Sequence, residues 1–375
     1  MKKYLLFIFL LLTMNLADTF SQPFCLATDD TLNLSSLMGA ISQTNDGGYI
    51  LAGSIHQVTG TLYDGYLLRL NSVGNIQWTK RIEFINTSMG FNSILQLSDN
   101  SYVVGGIIAP SSNPTNYDFL ILKFDSLGSI VWHNSVGGAL ADIAYSMVQS
   151  NDGGFVIAGS TKSFGSGNND AYVIKFNSVG VLQWTKVIGD ADEQIIRSIV
   201  KSPDGGYALA GINGIYGINS KFYVIKMSDV GNVQWISNIT LNSIPGWGSA
   251  HKILNGSNGR FIVGGNYDRG GGFNDVLIVK IDSAGSPLSS VKYDDAASEF
   301  DGVFSMTQIN NNRYVIGDYF KIYLTDSIGS ILSIRKPTNN FDQISMGGCV
   351  KQMTEELFKV AEFNIILLKI LMPIF

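Results

Sequence analysis

Asn151-Asp152-Gly153-Gly154-Phe155 decides how this chain is read, because the same short phrase returns along its length. Asn45-Asp46-Gly47-Gly48-Tyr49 and Pro203-Asp204-Gly205-Gly206-Tyr207 are close copies. Asp99-Asn100-Ser101-Tyr102, Asn258-Gly259-Arg260-Phe261 and Asn311-Asn312-Arg313-Tyr314 are weaker ones. Four residues after each aromatic stands a glycine (Gly53, Gly106, Gly159, Gly211, Gly265), with Asp318 in the sixth copy. The aromatics are spaced by 53, 53, 52, 54 and 53 residues. A fixed period of that size marks a repeat architecture.

Around the phrase, each unit holds four short apolar runs. In the third unit these are 146–149, 155–158, 171–176 and 181–184, rich in β-branched and aromatic residues and bounded by turn residues. Such runs read as strands. Asp-Gly between runs one and two supplies the positive φ of a tight hairpin. Asn177-Ser178-Val179-Gly180 between runs three and four has the Asn-first, Gly-fourth preference of a type I turn. The fold class expected is therefore all-β: a β-propeller of four-stranded antiparallel blades. Trp78, Trp132, Trp184 and Trp235 fall at one place in the fourth strand of units one to four and are read as structural repeat core. Units five and six lose the tryptophan, which predicts looser anchoring there.

The repeats span about 37–88, 89–142, 143–194, 195–247, 248–301 and 302–345, with a partial seventh at 346–375. Phe24-Cys25-Leu26-Ala27 sits where a fourth strand would lie. Pairing it with 365–370 would close seven blades and leave only short sheet edges. The rival is an altered C-terminal end, since Thr354-Glu355-Glu356 is poor hairpin chemistry. In the closed arrangement Cys25 and Cys349 are too far apart for a disulfide.

Residues 1–21 read as a signal peptide: Lys2 and Lys3, an apolar run from Tyr4 to Leu12, then small and polar residues to Ser21. That run is short for a bilayer span, which takes about 20 residues, so a retained N-terminal anchor is the lesser alternative. Residues 22–375 form the single mature domain, expected in a secreted or cell-envelope setting without a transmembrane segment and as a monomer. Charge is sparse at 15%, the net charge is −5 and no Lys/Arg cluster occurs, so a nucleic-acid partner is not expected. With 45% hydrophobic residues, the chain is too apolar for disorder.

The pattern Asp-Gly-Gly-Tyr, a short strand to Gly, Asp-x-Tyr-x-Ile-Lys, then Ser-x-Gly and Trp-x-Lys resembles secreted bacterial β-propeller repeat proteins. Many of those end in a type IX sorting domain, and none is visible in this sequence. The layout is also similar to kelch repeats, with Gly105-Gly106 or Gly264-Gly265 ending strand two. The resemblance implies a fold and a compartment; function does not travel with a fold.

Chemistry is hard to find. His56, His133 and His251 fall in separate units without metal-ligand spacing. No nucleophile elbow or phosphate loop occurs, and no carboxylate pair is set for glycoside cleavage. Neither catalytic residue, metal nor cofactor is assigned. The loops joining strands two and three carry the variation: Tyr63, Tyr117, Asn168, Asn169, Tyr216, Tyr267 and Arg269 are the candidate ligand-binding residues. Asp64, Asp118, Asp170 and Asp275 recur at the start of strand three, which suits structural hydrogen bonding. Acidic links such as Asp190, Asp192 and Glu193 either converge on the ring axis or are simply solvated. The leading reading is a secreted, non-catalytic binder of a protein or glycan partner. The alternatives are a glycan-active enzyme on the same scaffold and a purely structural repeat. Three or more convergent ionisable residues with displaced pKa values at the axial mouth would favour the enzyme.

Overall fold

The computed structural model describes residues 36–56, 62–240, 246–268, 274–293, 302–303, 305–309, 313–317, 321–327 and 329–335, together with 8–9 and 368–369. Among them are six four-stranded antiparallel sheets, each made of consecutive strands. They span residues 36–82, 87–136, 142–188, 194–239, 247–293 and 305–335, called blades one to six below. Blade three shows the plan, with strands Asp142–Gln149, Phe155–Thr161, Asp170–Phe176 and Leu182–Ile188. First strands of successive blades contact one another, so they form the inner wall.

Burial follows position within the blade. The second and third strands of blade three are buried at every residue, because a neighbouring blade covers each face. This is why they read as unbroken apolar runs rather than alternating ones. The outermost strand alternates exposed and half-buried residues. Each hydrophobic cluster lies between two blades, not within one. Phe119 and Ile121 of blade two meet Phe155, Ile157 and Phe176 of blade three, for example. A lone sheet would leave both faces wet, so stacking is what stabilises the repeat.

The tight-turn rim uses one device four times. The aspartate of the strand one–two turn pairs with the cation of strand three: Asp46–Arg69 at 2.5 Å, Asp99–Lys123 at 3.4 Å, Asp152–Lys175 at 2.6 Å and Asp204–Lys226 at 2.7 Å. Directly across the ladder from that cation stands the tryptophan: Arg69↔Trp78, Lys123↔Trp132, Lys175↔Trp184 and Lys226↔Trp235. The four rings are half-buried rather than fully enclosed. Each lies close against the glycine of the next blade's strand three–four turn, where an added Cβ would crowd the ring: Trp78 on Gly128, Trp132 on Gly180, Trp184 on Gly231 and Trp235 on Gly285. That glycine also takes the positive φ the turn demands.

Blades five and six depart from the pattern. Ser289 and Ser333 occupy the register of the missing tryptophans. Other contacts stand at this junction in place of the tryptophan. Val291 packs on Gly329, the Tyr293 hydroxyl donates to the Gly329 carbonyl at 2.5 Å, and the Tyr293 ring stacks on Tyr323 with centroids 5.2 Å apart.

The seventh blade is not established. Phe24–Ala27, Cys25 and Cys349 lie outside the described residues, as does the C-terminal run except at Leu368–Lys369. Those two residues pair with Ile8 and Phe9, inside the N-terminal apolar run and not in the segment expected to close the ring.

Candidate functional site

Inter-blade links and strand two–three loops share the face opposite the tight turns. The structure spreads the candidate loop residues through several environments. Tyr63 is half-buried, edge-on to His56 with centroids 4.9 Å apart, and its backbone N–H donates to Ser88 Oγ. Tyr117 is half-buried and its carbonyl accepts the Asp142 N–H at 2.6 Å. Asn169 holds the next link, its amide donating to Glu193 and its carbonyl accepting the Gln194 N–H. Asn168 is exposed. Tyr216 is 47% exposed, with its hydroxyl donating to Asn274 of blade five. Tyr267 is a correction: it packs into the core between blades four and five at 4% exposure and is no rim residue. Arg269 lies outside the described residues.

Exposed apolar side chains that the sequence reading passed over join this face. Leu140 and Phe164 come from the link and loop of blade three, and Ile215 and Ile218 flank Tyr216 in blade four. Leu140 and Ser163 are tied by two hydrogen bonds, which places Phe164 beside the link.

Three of the aspartates that open strand three are held by structural partners, whereas Asp118 Oδ1 is buried without one. Asp64 pairs with Arg81 and Asp275 with Lys292, both on strand four. Asp170 accepts the N–H groups of Ser166 and Gly167. Asp118 is pushed up from the ordinary carboxylate range by burial and then by the neighbouring Asp142 charge. Where they are described, Asp190 and Glu193 are engaged in local hydrogen bonds. The Asp190 carboxylate accepts from Gln194 and from the Asp192 N–H, and Glu193 accepts from Asn169. Asp294, Asp295, Glu299 and Asp301 lie outside the described residues.

A second cluster went unread. The first strand of each of blades one to five is interrupted by a β-bulge at the same point. The extra residues are Gly39, Asn92, Tyr145, Arg197 and His251; the equivalent Phe304 lies outside the described residues. The repeat glycine explains the bulge. Ala144 pairs with Gly159, and a Cβ on Gly159 would overlap the carbonyl oxygen of Ile143. Gly106, Gly211 and Gly265 sit under the carbonyls of Gly90, Ile195 and Ser249 in the same way. A bulge re-aims the side chain of its extra residue, and here it sits on the free edge of an inner-wall strand.

Electrostatics shows that these residues feel one another. Burial holds the Tyr145 phenol up, with Arg197 and a hydrogen bond with Ser160 working against that rise. Burial drives the His251 imidazole well below its usual range, and the Arg197 and Lys252 charges push the same way. Burial also lowers Lys252. The Asn92 amide donates to the Ala144 carbonyl of blade three at 2.8 Å. Each extra residue stands seven positions before the turn Asp or Asn (Asp46, Asp99, Asp152, Asp204, Asn258). That offset is the signal by which the repeats could have revealed it. Among the described residues, no group of three or more His, Cys, Asp or Glu is placed to hold a metal ion.

No family model and no curated protein matches the chain. Solved structures similar to it include β-propeller proteins. The periplasmic gluconolactonase PpgL of Pseudomonas aeruginosa has 11% identity and a TM-score of 0.52, over 79% of this chain and 84% of that one. The chain has a β-propeller fold. The Pan2 WD40 domain of Neurospora crassa has 10% identity and a TM-score of 0.49, over 78% of this propeller and 76% of that chain. A Bacteroides caccae protein of unknown function has 13% identity and a TM-score of 0.46, over 79% and 96%. At such identities the likeness concerns fold alone.

Proposed function

We propose that this protein is an exported, non-catalytic propeller that binds an extracellular or envelope partner, a protein or a glycan, through its loop-bearing face. The observation that carries the reading is the set of exposed residues on neighbouring loops of blades three and four: Phe164, Asn168, Ile215, Tyr216 and Ile218. Aromatic and apolar side chains beside an amide are the chemistry of a recognition surface. Export is supported by the N-terminal pattern of two lysines, an apolar run and a small-residue exit. No helix among the described residues is long and apolar enough to cross a membrane.

The test is a glycan array probed with the chain from Gln22 onward, run beside Tyr216→Ala and Phe164→Ala variants. Hits weakened by both substitutions support the reading. Hits indifferent to both contradict it, and an array without hits removes the glycan branch.

One observation favours the enzyme as a second reading. Tyr145, His251 and Lys252 are three ionisable groups with displaced pKa values, clustered with Arg197 on the inner wall. Displaced groups of this kind concentrate at catalytic sites. Hydrolysis of model glycosides and sugar esters, compared between the native chain and His251→Gln, separates the two readings. Turnover lost in the variant would establish catalysis.

A further inference from the structure

We infer that the inner edges of blades two to five form an oxyanion-binding site, with Arg197 as its anchor and Asn92, Tyr145 and His251 around it. The site is distinct from the loop face and goes beyond the partner binding proposed there.

The argument begins with placement. Four successive blades put their extra bulge residue at one level of the inner wall, and all four residues are polar. Adjacent first strands are tied directly: the Ile199 N–H donates to Ser146 Oγ and the Ile253 N–H to Ser198 Oγ, both at 3.3 Å. Ser146 and Ser198 immediately follow the extra residues Tyr145 and Arg197, so the bulges of neighbouring blades are held side by side. Beside this sector, blade one contributes only Gly39, whose missing Cβ leaves room for the Phe91 carbonyl.

Charge gives the second strand of the argument. Among the described residues, neither Arg197 nor Lys252 forms an ion pair. Arg197 is half-buried: its Nε is enclosed by protein without a hydrogen-bond partner, while the residue keeps part of its surface open, where a ligand can reach it. A buried charged donor without an acceptor is costly, and native structures seldom leave one so. The guanidinium fork fits the paired oxygens of a carboxylate or phosphate. Tyr145 adds a phenol beside it. With its amide nitrogen bonded to Ala144, Asn92 keeps an oxygen to accept from a ligand hydroxyl. Lys252, next along from His251, adds a further positive charge.

Carboxylate and phosphate share this chemistry, so the experiment carries an arm for each. Calorimetric titrations of the full mature chain at constant ionic strength would use glucuronate, inorganic phosphate and, as the neutral control, glucose. Saturable binding of glucuronate, of phosphate or of both at millimolar concentration supports the site and tells which oxyanion it prefers. Arg197→Gln should weaken that binding by about tenfold or more, as loss of a hydrogen bond to a charged group implies. Tyr145→Phe, a smaller change, should weaken it several-fold and guards against an Arg197 variant that does not fold. Absence of saturable binding in both oxyanion arms overturns the proposal. So does binding that glucose matches, or binding that both variants retain in full. None of these outcomes bears on the array hits sensitive to Tyr216 and Phe164, so the loop-face reading stands or falls separately.

Discussion

The tight-turn rim and the inner wall share one repeat register and use it in opposite ways. At the rim of blades one to four, residue types recur with the geometry: aspartate, a cation, tryptophan and the glycine beneath it. On the inner wall the geometry recurs and the residue changes at each step, from Gly39 through Asn92, Tyr145 and Arg197 to His251. A residue repeated with its geometry serves the packing that every blade needs. A residue that varies on a repeated geometry is free of that duty and open to ligand chemistry. Blade five sharpens the contrast, because Tyr293 and Val291 take over the rim contact where the tryptophan is gone.

The most damaging substitution should be one that attacks the geometry of the inner wall. Gly159→Ala pushes a methyl into the Ile143 carbonyl and forces the inner strand out of its bulge. A loss of about 3 kcal/mol in urea unfolding is expected, at the upper end for overpacking. A loss below about 0.5 kcal/mol, the range of ordinary surface changes, would mean that the glycine does not enforce the bulge.

Tyr293→Phe removes the hydroxyl that reaches the Gly329 carbonyl while keeping the ring stacked on Tyr323. The expected cost is about 1 kcal/mol, the worth of one hydrogen bond. An unchanged midpoint would show that ring packing alone anchors blade six.

The smallest effect concerns acid. Asp46 is held down to about 2, first by the hydrogen bond with Thr44 and also by Arg69. At Asp152 burial opposes the charge, but hydrogen bonds with Lys175, Ser150 and the Gly154 N–H outweigh it and hold the group at about 2. A carboxylate whose folded pKa is depressed stabilises above its unfolded value, near 3.8, and that contribution disappears as pH falls through about 2. Melting temperature should therefore drop between these limits, and Asp152→Asn should show a shallower drop. Identical acid limbs in the two proteins would remove Asp152 from the rim's electrostatics.

Much of this architecture was legible in the sequence, since the recurring Asp-Gly-Gly and Asn-Ser-x-Gly turns bracket strands whose apolar runs betray burial on both faces. Strand ends were harder. The first strand of blade three begins at Asp142, four residues before its apolar run, because backbone pairing continues through the bulge. The bulge itself was hidden because Gly159 reads as the end of strand two, while the reason for it, the Ile143 carbonyl, lies in another strand. Tyr267 looked like a rim residue from its place after Gly265. The ladder of blade five continues through Asp268↔Asn274, so Tyr267 remains inside a buried strand. Loop tyrosines and asparagines could be named from sequence but not their partners, which come from neighbouring links and blades.

The most direct test sets a rim residue against a wall residue in the same urea titration. Trp184→Ala should cost about 2 kcal/mol, less than the 3–5 kcal/mol of a fully enclosed ring because Trp184 is half-buried. Arg197→Gln should not lower the midpoint, because it removes a charge whose enclosed Nε has no partner in the fold. The reverse order, with Arg197→Gln strongly destabilising and Trp184→Ala silent, would contradict the division of labour between rim and wall.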